Sequence, residues 1–211
     1  MIMKVRSINH LLRAAANITR QNKFVLVGSA AVIVRRRVRH KNMPADMMMT
    51  PEVDIYAPEA DDIESLSEMI DANIGQGSRF HDEFGYYGDG VSATTAKMPS
   101  DWLMRAVEYR GAGCPDVVAI VPEENDVALA KLAAWRDKDQ DWLGQGVKYG
   151  VLSLKTMIAR LDRMPEPNPD HGSPARETLA TRLKALASRC KVAVERPETS
   201  KAKPSGRSKP Q

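Results

Sequence analysis

The 211-residue chain has few cysteines and no long hydrophobic run. Its two cysteines, Cys114 and Cys190, lie far apart and form neither a CxxC pair nor a Cys/His spacing. This argues against the common zinc sites and a disulfide framework, and it favours buried free thiols. The longest apolar stretch, residues 24–34, is interrupted by Gly and Ser and is too short to span a bilayer. Because the N-terminus also lacks a signal-peptide pattern, we expect a cytoplasmic protein without a membrane partner.

Apolar residues make up 43% of the chain, enough for the core of one domain with an appendage. The net charge of +4 is unevenly spread. One basic cluster consists of Arg35, Arg36, Arg37, Arg39, His40 and Lys41, and a second group consists of Lys201, Lys203, Arg207 and Lys209. The second group lies in a Pro/Ser/Gly-rich tail that cannot build a core and is predicted to be disordered. The first cluster, within residues 35–41, is equally compatible with a solvated helix end and with contact to RNA.

Hydrophobic periodicity predicts alternating helices and strands up to residue 121 and helices after it. The predicted strands span residues 24–27, 52–56, 84–87, 103–109 and 116–121. The predicted helices begin at a Ser7 cap, at Ser29 and after Pro58, then cover residues 123–136, 138–149 and 153–163, and the last opens with Ser173-Pro174. Residues 75–90 otherwise form a Gly-rich loop, and no element is assigned to residues 91–100. The pattern predicts an α/β (α+β) fold with a small mixed sheet.

The predicted domain organisation has four regions. The first is a domain at residues 1–164, in which residues 1–121 form the sheet and residues 122–164 form the helical half. It is followed by a Pro/Gly-rich linker at 165–172, an accessory helix at 173–194 and a disordered basic tail at 195–211. The accessory helix carries an apolar stripe that can pack on the domain or on a partner.

Two short motifs are associated with the first two predicted strands. Gly28-Ser29 comes directly after the apolar strand and opens a helix, whose free N–H groups suit a phosphate. Glu52 and Asp54 are spaced i and i+2 on the next strand, so both face the same side and can hold a hard divalent cation. Each motif alone has an ordinary explanation, a tight turn for the first and a half-exposed edge strand for the second. Together they indicate a site for a Mg²⁺-nucleotide.

The order of strand, Gly-Ser, helix and acid-x-acid strand resembles the core signature of the nucleotidyltransferase superfamily. Residues 73–89, 99–102 and 126–139 are similar to an uncharacterised bacterial family of nucleotidyltransferase-like proteins. That family is related to the nucleotidyltransferase toxins of abortive-infection toxin–antitoxin systems. The resemblance covers roughly residues 22–163, and its most specific segment is the Lys-Leu-x-Ala-x-Arg-x-Lys-Asp stretch at 131–139.

The resemblance implies roles for six residues. Gly28, Ser29 and Lys131 would bind the nucleoside triphosphate, Glu52 and Asp54 would hold Mg²⁺, and Asp139 would complete the site with Lys131. A lysine neutralises charge on the leaving pyrophosphate. Arg136 lies about one and a half helical turns from Lys131, so it is expected to brace Asp139 or another acid instead.

The sequence also contains candidates for a third carboxylate and for a catalytic base. A third carboxylate is often expected on a following strand, and Glu108 and Asp116 are the candidates. His81 could be a base in the Gly-rich loop, but a histidine bonded to Asp82 or to loop backbone is the favoured interpretation.

The predicted function is transfer of a nucleotide to RNA, such as tRNA, or to protein, in a toxin–antitoxin or phage-defence role. Two alternatives come from other classes. The first is a catalytically silent nucleotide- or RNA-binding protein, and the second is an antitoxin or accessory subunit that covers a partner in a complex.

Overall fold

The computed structural model describes residues 1–168 and 172–191. Within these residues the chain forms one five-stranded mixed sheet and eight α-helices, which confirms the predicted α/β fold with a helical C-terminal half. The strands are β1 (Lys23–Leu26), β2 (Glu52–Tyr56), β3 (Tyr87–Gly90), β4 (Val107–Gly111) and β5 (Cys114–Val121). The helices are α1 (Val5–Thr19), α2 (Gly28–Val38), α3 (Ile63–Ile74), α4 (Arg79–Phe84), α5 (Glu124–Ala134), α6 (Asp137–Lys148), α7 (Leu154–Ala159) and α8 (Arg176–Cys190).

The strand order across the sheet is β3-β2-β1-β5-β4. β1 lies at the centre, parallel to β5 and antiparallel to β2. β3 runs parallel to β2 at one edge, and β4 forms an antiparallel hairpin with β5 at the other. β2 is therefore an interior strand with a neighbour on each side, and β4 is separated from it by two strands.

The main hydrophobic core lies between one face of the sheet and the helices α1, α2 and α3. Alternate strand residues point into it, such as Leu26 of β1 and Val53 and Ile55 of β2. A smaller cluster on the other face contains Val25 and Tyr56, with residues of the segment 91–102 packed against it. The two faces of the sheet thus differ, because fewer residues cover the face that carries Val25 and Tyr56.

The helical half packs around α5, which contacts α2, α6, α7 and α8. α8 places Leu179, Leu183 and Leu186 in the core, where all three are buried. The accessory helix therefore packs on the body of the protein. It begins at Arg176 rather than at Ser173.

The predicted linker and tail can be followed only incompletely. Residues 169–171 of the predicted linker and residues 192–194 of the predicted accessory helix lie outside the described residues. The tail at 195–211, which contains five basic residues, falls wholly outside them.

The start of α1 differs from the prediction. Ser7 is not the cap, because the helix begins at Val5 and the N-cap residue is Lys4. The preceding segment is held by a tertiary contact in which the Met3 N–H donates to the Met48 carbonyl at 2.8 Å. This contact directs the chain before Ser7 and lets the helix start earlier.

Residues 75–90 contain more structure than a Gly-rich loop. α4 is capped by the Ser78 hydroxyl, which accepts from the His81 N–H, and it ends at Gly85 in the left-handed conformation (φ 71°). β3 follows at Tyr87, later than the strand predicted at 84–87. Gly85, which suggested a loop, is the signal that ends the short helix.

The predicted strand at 103–109 is also wrong in its first half. Trp102–Arg105 forms a 3₁₀ turn, and β4 begins only at Val107. The turn brings Arg105 back to Asp101, with which it forms two hydrogen bonds of 2.7 and 2.8 Å. This ion pair at i and i+4 is compatible with a helical turn but not with a strand.

The basic cluster at the end of α2 is divided between core and surface. Arg35 is buried, with its Nε 3.7 Å from Oε2 of Glu124. Arg36 donates to the carbonyl of Asn42 at 2.7 Å. Arg37 and Arg39 are exposed, so the two interpretations, a solvated helix end and contact with RNA, apply only to the outer members.

One buried ion-pair network joins the turn before β4 to the helical half. The carboxylate of Asp126 on α5 is fully buried and accepts from Arg105 at 2.9 Å and from Arg160 at 2.9 Å. Arg105 also binds Asp101, which in turn pairs with Arg163. The segment beside the sheet is therefore tied to α5 and to the chain after α7.

We expect Asp126→Asn to lower the free energy of unfolding by about 3 kcal/mol, because it removes the fully buried charge that Arg105 and Arg160 share and leaves them only Asp101 and Glu123. Urea denaturation followed by circular dichroism measures this. The matched control is Asp141→Asn, which breaks an exposed pair with Arg189 and should change the free energy by less than about 1 kcal/mol. Equal effects of the two substitutions would contradict the structural role of Asp126.

Candidate functional site

The turn between β1 and α2 places a helix N-terminus beside an acidic side chain. Gly28 begins α2 with φ +64°, a conformation that favours glycine. A Cβ at this position would lie 2.6 Å from Oδ2 of Asp54. Among the described residues no side chain caps this N-terminus. The first amide groups of α2 are therefore available to a ligand next to Asp54.

Glu52 and Asp54 lie on the thinly covered face of β2. Val53 and Ile55 alternate with them and are fully buried on the opposite face. The backbone carbonyl of Asp54 accepts from the Val27 N–H at 2.9 Å, which places it beside the Gly28 turn. Because β2 is an interior strand, the interpretation of these acids as a solvated edge strand is wrong.

A third carboxylate comes from β3. Asp89 is in register with Asp54, and Tyr87 is in register with Glu52. Registered residues of parallel strands point to the same face, so Asp89 joins the two predicted acids. The Tyr87 hydroxyl also donates to Oε2 of Glu52 at 3.4 Å.

Sequence reasoning missed Asp89 and considered the wrong acids. Glu108 lies exposed on the far edge strand β4, and Asp116 lies exposed near the start of β5. Neither strand is a neighbour of β2 in the sheet. The available signal was the acid between Gly88 and Gly90, but the glycines around it favoured a loop.

The three carboxylates are crowded enough to change their titration. Burial, together with the charges of Glu52 and Asp89, raises the pKa of Asp54 to about 6. Burial, with the charges of Asp71 and Glu52, raises the pKa of Asp89 to about 6. Burial and the Glu52 carboxylate raise the pKa of Tyr87 to about 12. The face therefore concentrates negative charge that a cation would relieve.

Lys131 and Asp139 meet at the corner between α5 and α6. The Lys131 Nζ donates to Oδ1 of Asp139 at 2.9 Å, and the Arg136 Nε donates to Oδ2 at 2.7 Å. Burial tends to raise the pKa of Asp139, but the bonds from Arg136 and Lys131 outweigh it and lower that pKa. Asp139 is fully buried and directs Lys131. The predicted bracing of Asp139 by Arg136 is confirmed.

One cleft collects most of the predicted site residues. Its lining comprises Val27, Gly28, Ser29, Glu52, Asp54, Thr95, Ala96, Met98, Val127, Ala130, Lys131, Ala134 and Arg136. Asp139 does not line the cleft and acts from behind Lys131. The lining also includes residues from the segment 91–100, to which sequence patterns assigned no element.

A second lysine reaches the acidic face. Lys138, in the first turn of α6, donates to Oε1 of Glu52 at 3.0 Å, and its side chain is 57% exposed. It is held by a carboxylate at a position where a metal ion would compete with it. Sequence reasoning included Lys138 in the 131–139 motif without giving it a role.

His81 has the structural role that the sequence favoured. Its Nδ1 accepts from the Gly77 N–H at 3.0 Å, so the loop backbone holds the ring. The ring also packs against Tyr87, with centroids 4.7 Å apart. This supports Tyr87 where it contacts Glu52.

The carboxylate crowding predicts a pH dependence of stability in the absence of divalent ions. Because the folded pKa values of about 6 exceed the ordinary 3.8, the folded state holds protons that the unfolded chain releases between these values. Stability should therefore fall as pH rises from about 4 to about 6 and stay at the lower level above that. Asp54→Asn should remove some of this loss and stabilise the protein by on the order of 2 kcal/mol at neutral pH.

Urea unfolding of wild type and Asp54→Asn in a chelating buffer, at about pH 4.5 and about pH 7.5, tests this expectation. The stabilising effect of the substitution should shrink at the lower pH. A difference in unfolding free energy that is the same at both pH values would contradict the crowding.

Comparison of the chain with known proteins gave a match to a protein family. A family model described as a nucleotidyltransferase of unknown function (DUF6036) matches residues 4–168. No curated protein and no solved structure matches the chain significantly. Within the described residues, no helix is both long and apolar enough to cross a membrane. The predicted relation to abortive-infection toxins stays a prediction. Since the match covers well over half of its length, the chain belongs to this family of nucleotidyltransferases.

Proposed function

We propose that the protein is a Mg²⁺-dependent nucleotidyltransferase that transfers a nucleotide from a nucleoside triphosphate to a hydroxyl group of a macromolecule. One observation carries the proposal: a single cleft contains an uncapped helix N-terminus, two carboxylates and a lysine. These are the groups that binding and cleavage of a triphosphate need.

The triphosphate would lie between the start of α2 and Lys131. The free amide groups after Gly28 and the Ser29 hydroxyl can donate to phosphate oxygens. Lys131 adds a positive charge from the opposite wall, and the Asp139 carboxylate holds it there at 2.9 Å. Charge from both sides suits the leaving pyrophosphate better than either group alone.

The residues present fit a magnesium ion. Within residues 1–168 and 172–191, no group of three or more His, Cys, Asp and Glu side chains is placed to hold a metal ion without a further ligand. Mg²⁺ does not require one, because it retains waters and is usually held by one or two carboxylates and substrate phosphates. Glu52 and Asp54 would be its protein ligands. When bound, the ion would neutralise phosphate charge and lower the pKa of the attacking hydroxyl.

The proposed reaction is a displacement at the α-phosphorus. The acceptor oxygen forms a bond to the α-phosphorus as the bond to the β-phosphate bridging oxygen breaks, and pyrophosphate leaves. Asp89 faces the same side of the sheet as Asp54 and would accept the proton of the hydroxyl. Lys138 is bound to Glu52 at 3.0 Å, and on nucleotide binding it would exchange this partner for a phosphate.

RNA is the acceptor that the charge distribution favours over protein. Residues 1–45 contain no Asp or Glu and carry the basic residues Lys4, Arg6, Arg13, Arg20, Lys23, Arg35, Arg36, Arg37, Arg39 and Lys41. Seven of them, namely Lys4, Arg6, Arg13, Arg20, Arg37, Arg39 and Lys41, are exposed. Exposed positive charges of this number attract a polyanion. A toxin–antitoxin or phage-defence role would follow from modification of such an RNA and belongs to this proposal.

The first test is transfer of label from nucleoside triphosphates labelled in the α-phosphate into total RNA and total cell protein. With Mg²⁺, wild type should label RNA, and Asp54→Asn should abolish labelling because a metal ligand is lost. Asp89→Asn should reduce the rate about 100-fold or more. The matched control is Glu108→Gln, which alters an exposed acid on the far edge of the sheet and should leave the rate unchanged.

Several outcomes would contradict the proposal. Retained transfer in Asp54→Asn would refute the site. Binding of nucleotide without any transfer would identify a catalytically silent binding protein. Label in protein alone would refute the RNA acceptor while leaving the chemistry intact.

The acceptor surface has its own test, binding of a fluorescent RNA oligonucleotide at several salt concentrations. Replacing both Arg13 and Arg20 by Gln should weaken binding and lower the slope of log K against log salt by about 0.7 to 0.9 per residue that contacts a phosphate. Lys155→Gln, an exposed lysine of α7 in the helical half, should leave the slope unchanged. An equal change in both variants would contradict a localised surface.

A further inference from the structure

The last described helix, α8, lies beyond the residues that the family model matches. The match ends at residue 168, and α8 begins at Arg176. Leu179, Leu183 and Leu186 are each 1% exposed, and the helix contacts α5, α6 and α7. α8 therefore packs on the two helices, α5 and α6, that carry Lys131 and Asp139.

Arg182 of α8 binds the C-terminal end of α5. Its Nη1 donates to the carbonyl of Leu132 at 3.0 Å and to that of Ala133 at 2.6 Å. The last carbonyls of a helix lack partners within the helix and carry partial negative charge, so a guanidinium both satisfies and neutralises them. The guanidinium also lies 5.6 Å from the centroid of the Trp135 ring.

The turn that Arg182 holds is the turn that carries Lys131. The Trp135 N–H donates to the Lys131 carbonyl at 2.8 Å and closes this turn. Trp135 has φ +55°, which a bulky aromatic residue adopts only when its surroundings impose it. Leu132, the residue after Lys131, is bound to Arg182. A shift of the end of α5 would therefore change the direction in which the Lys131 side chain points.

Lys131 is thus held at both ends. Its backbone lies in the turn that Arg182 and Trp135 fix, and its Nζ is bound to Asp139 on α6. Its ammonium group also lies 5.1 Å from the centroid of the Trp142 ring on α6. The direction of the side chain depends on the angle between α5 and α6, and α8 contacts both helices.

We infer that Arg182 is a positioning residue for Lys131, and that α8 thereby completes the nucleotide site from outside the region shared with the family. This inference rests on the proposed function, since it assigns Arg182 an effect on nucleotide binding through Lys131. Arg182 itself does not touch the substrate.

A double-mutant cycle on nucleotide affinity tests the inference. The probe is a nucleoside triphosphate analogue with a methylene bridge between the α- and β-phosphates, bound in the presence of Mg²⁺ and measured by calorimetry. Arg182→Ala should weaken binding about tenfold in the wild-type background and should have no further effect in the Lys131→Ala background. Arg182→Lys should recover most of the affinity, because a lysine still donates to these carbonyls.

The matched control is Arg189→Ala on the same helix. Arg189 forms an exposed pair with Asp141 at 2.6 Å, so its removal should leave affinity unchanged. Thermal unfolding of each variant identifies any that are not folded, and if Arg182→Ala fails to fold, Arg182→Gln takes its place in the cycle.

The outcomes separate the two claims. An equal loss of affinity in the wild-type and Lys131→Ala backgrounds, or an equal loss in Arg189→Ala, overturns the positioning role and leaves the proposed function standing. Wild type that binds no analogue with Mg²⁺ overturns the proposed function itself, and the positioning role with it.

Discussion

The close approach of Asp54 to the backbone of Gly28 organises the site. A Cβ on residue 28 would lie 2.6 Å from the Asp54 carboxylate, so only a glycine in the left-handed conformation lets α2 begin there. This contact brings the positive end of a helix next to a strand that carries two acids. Pairing of β1 with β2 brings the turn and the acids together, and pairing of β3 with the other side of β2 makes β2 an interior strand.

Charge crowding on this face is compatible with folding because the helical half places cations beside it. Glu52, Asp54 and Asp89 repel each other, and their neighbours Lys131 and Lys138 offset some of the repulsion. The cations come from the α5–α6 corner, which the ion pairs of Asp139 and the carbonyl contacts of Arg182 hold in place. The sheet therefore supplies the acids and the helical half supplies the cations, and the proposed function depends on how the two halves meet.

Local patterns predicted the elements well where a single rule decides. The i, i+2 spacing placed Glu52 and Asp54 on one face of a strand, and the hydrophobic periodicity located α5 and α6 closely. The prediction failed where a distant contact overrode the local signal. Arg105 turns back to Asp101 and Asp126 instead of continuing a strand, and Met3 directs α1 through Met48. Asp126 is distant in sequence from Arg105, and Met48 is distant from Met3. Neither contact therefore produces a periodic pattern in the local sequence.

By itself the sequence determined the Gly-Ser turn, the acid pair and the Lys131 motif, because each depends on residues within a few positions of one another. Only the tertiary structure decided that Asp89 rather than Glu108 or Asp116 completes the acidic face, since strand order and register are relations between distant segments. The sequence named Asp139, but only the packing of α6 on α5 decided that it lies behind Lys131 and not in the lining of the cleft. Arg182 was also decided by tertiary structure, since its contacts lie about fifty residues away along the chain. Pairing across a sheet and packing between helices bring such groups together, and no local spacing records them.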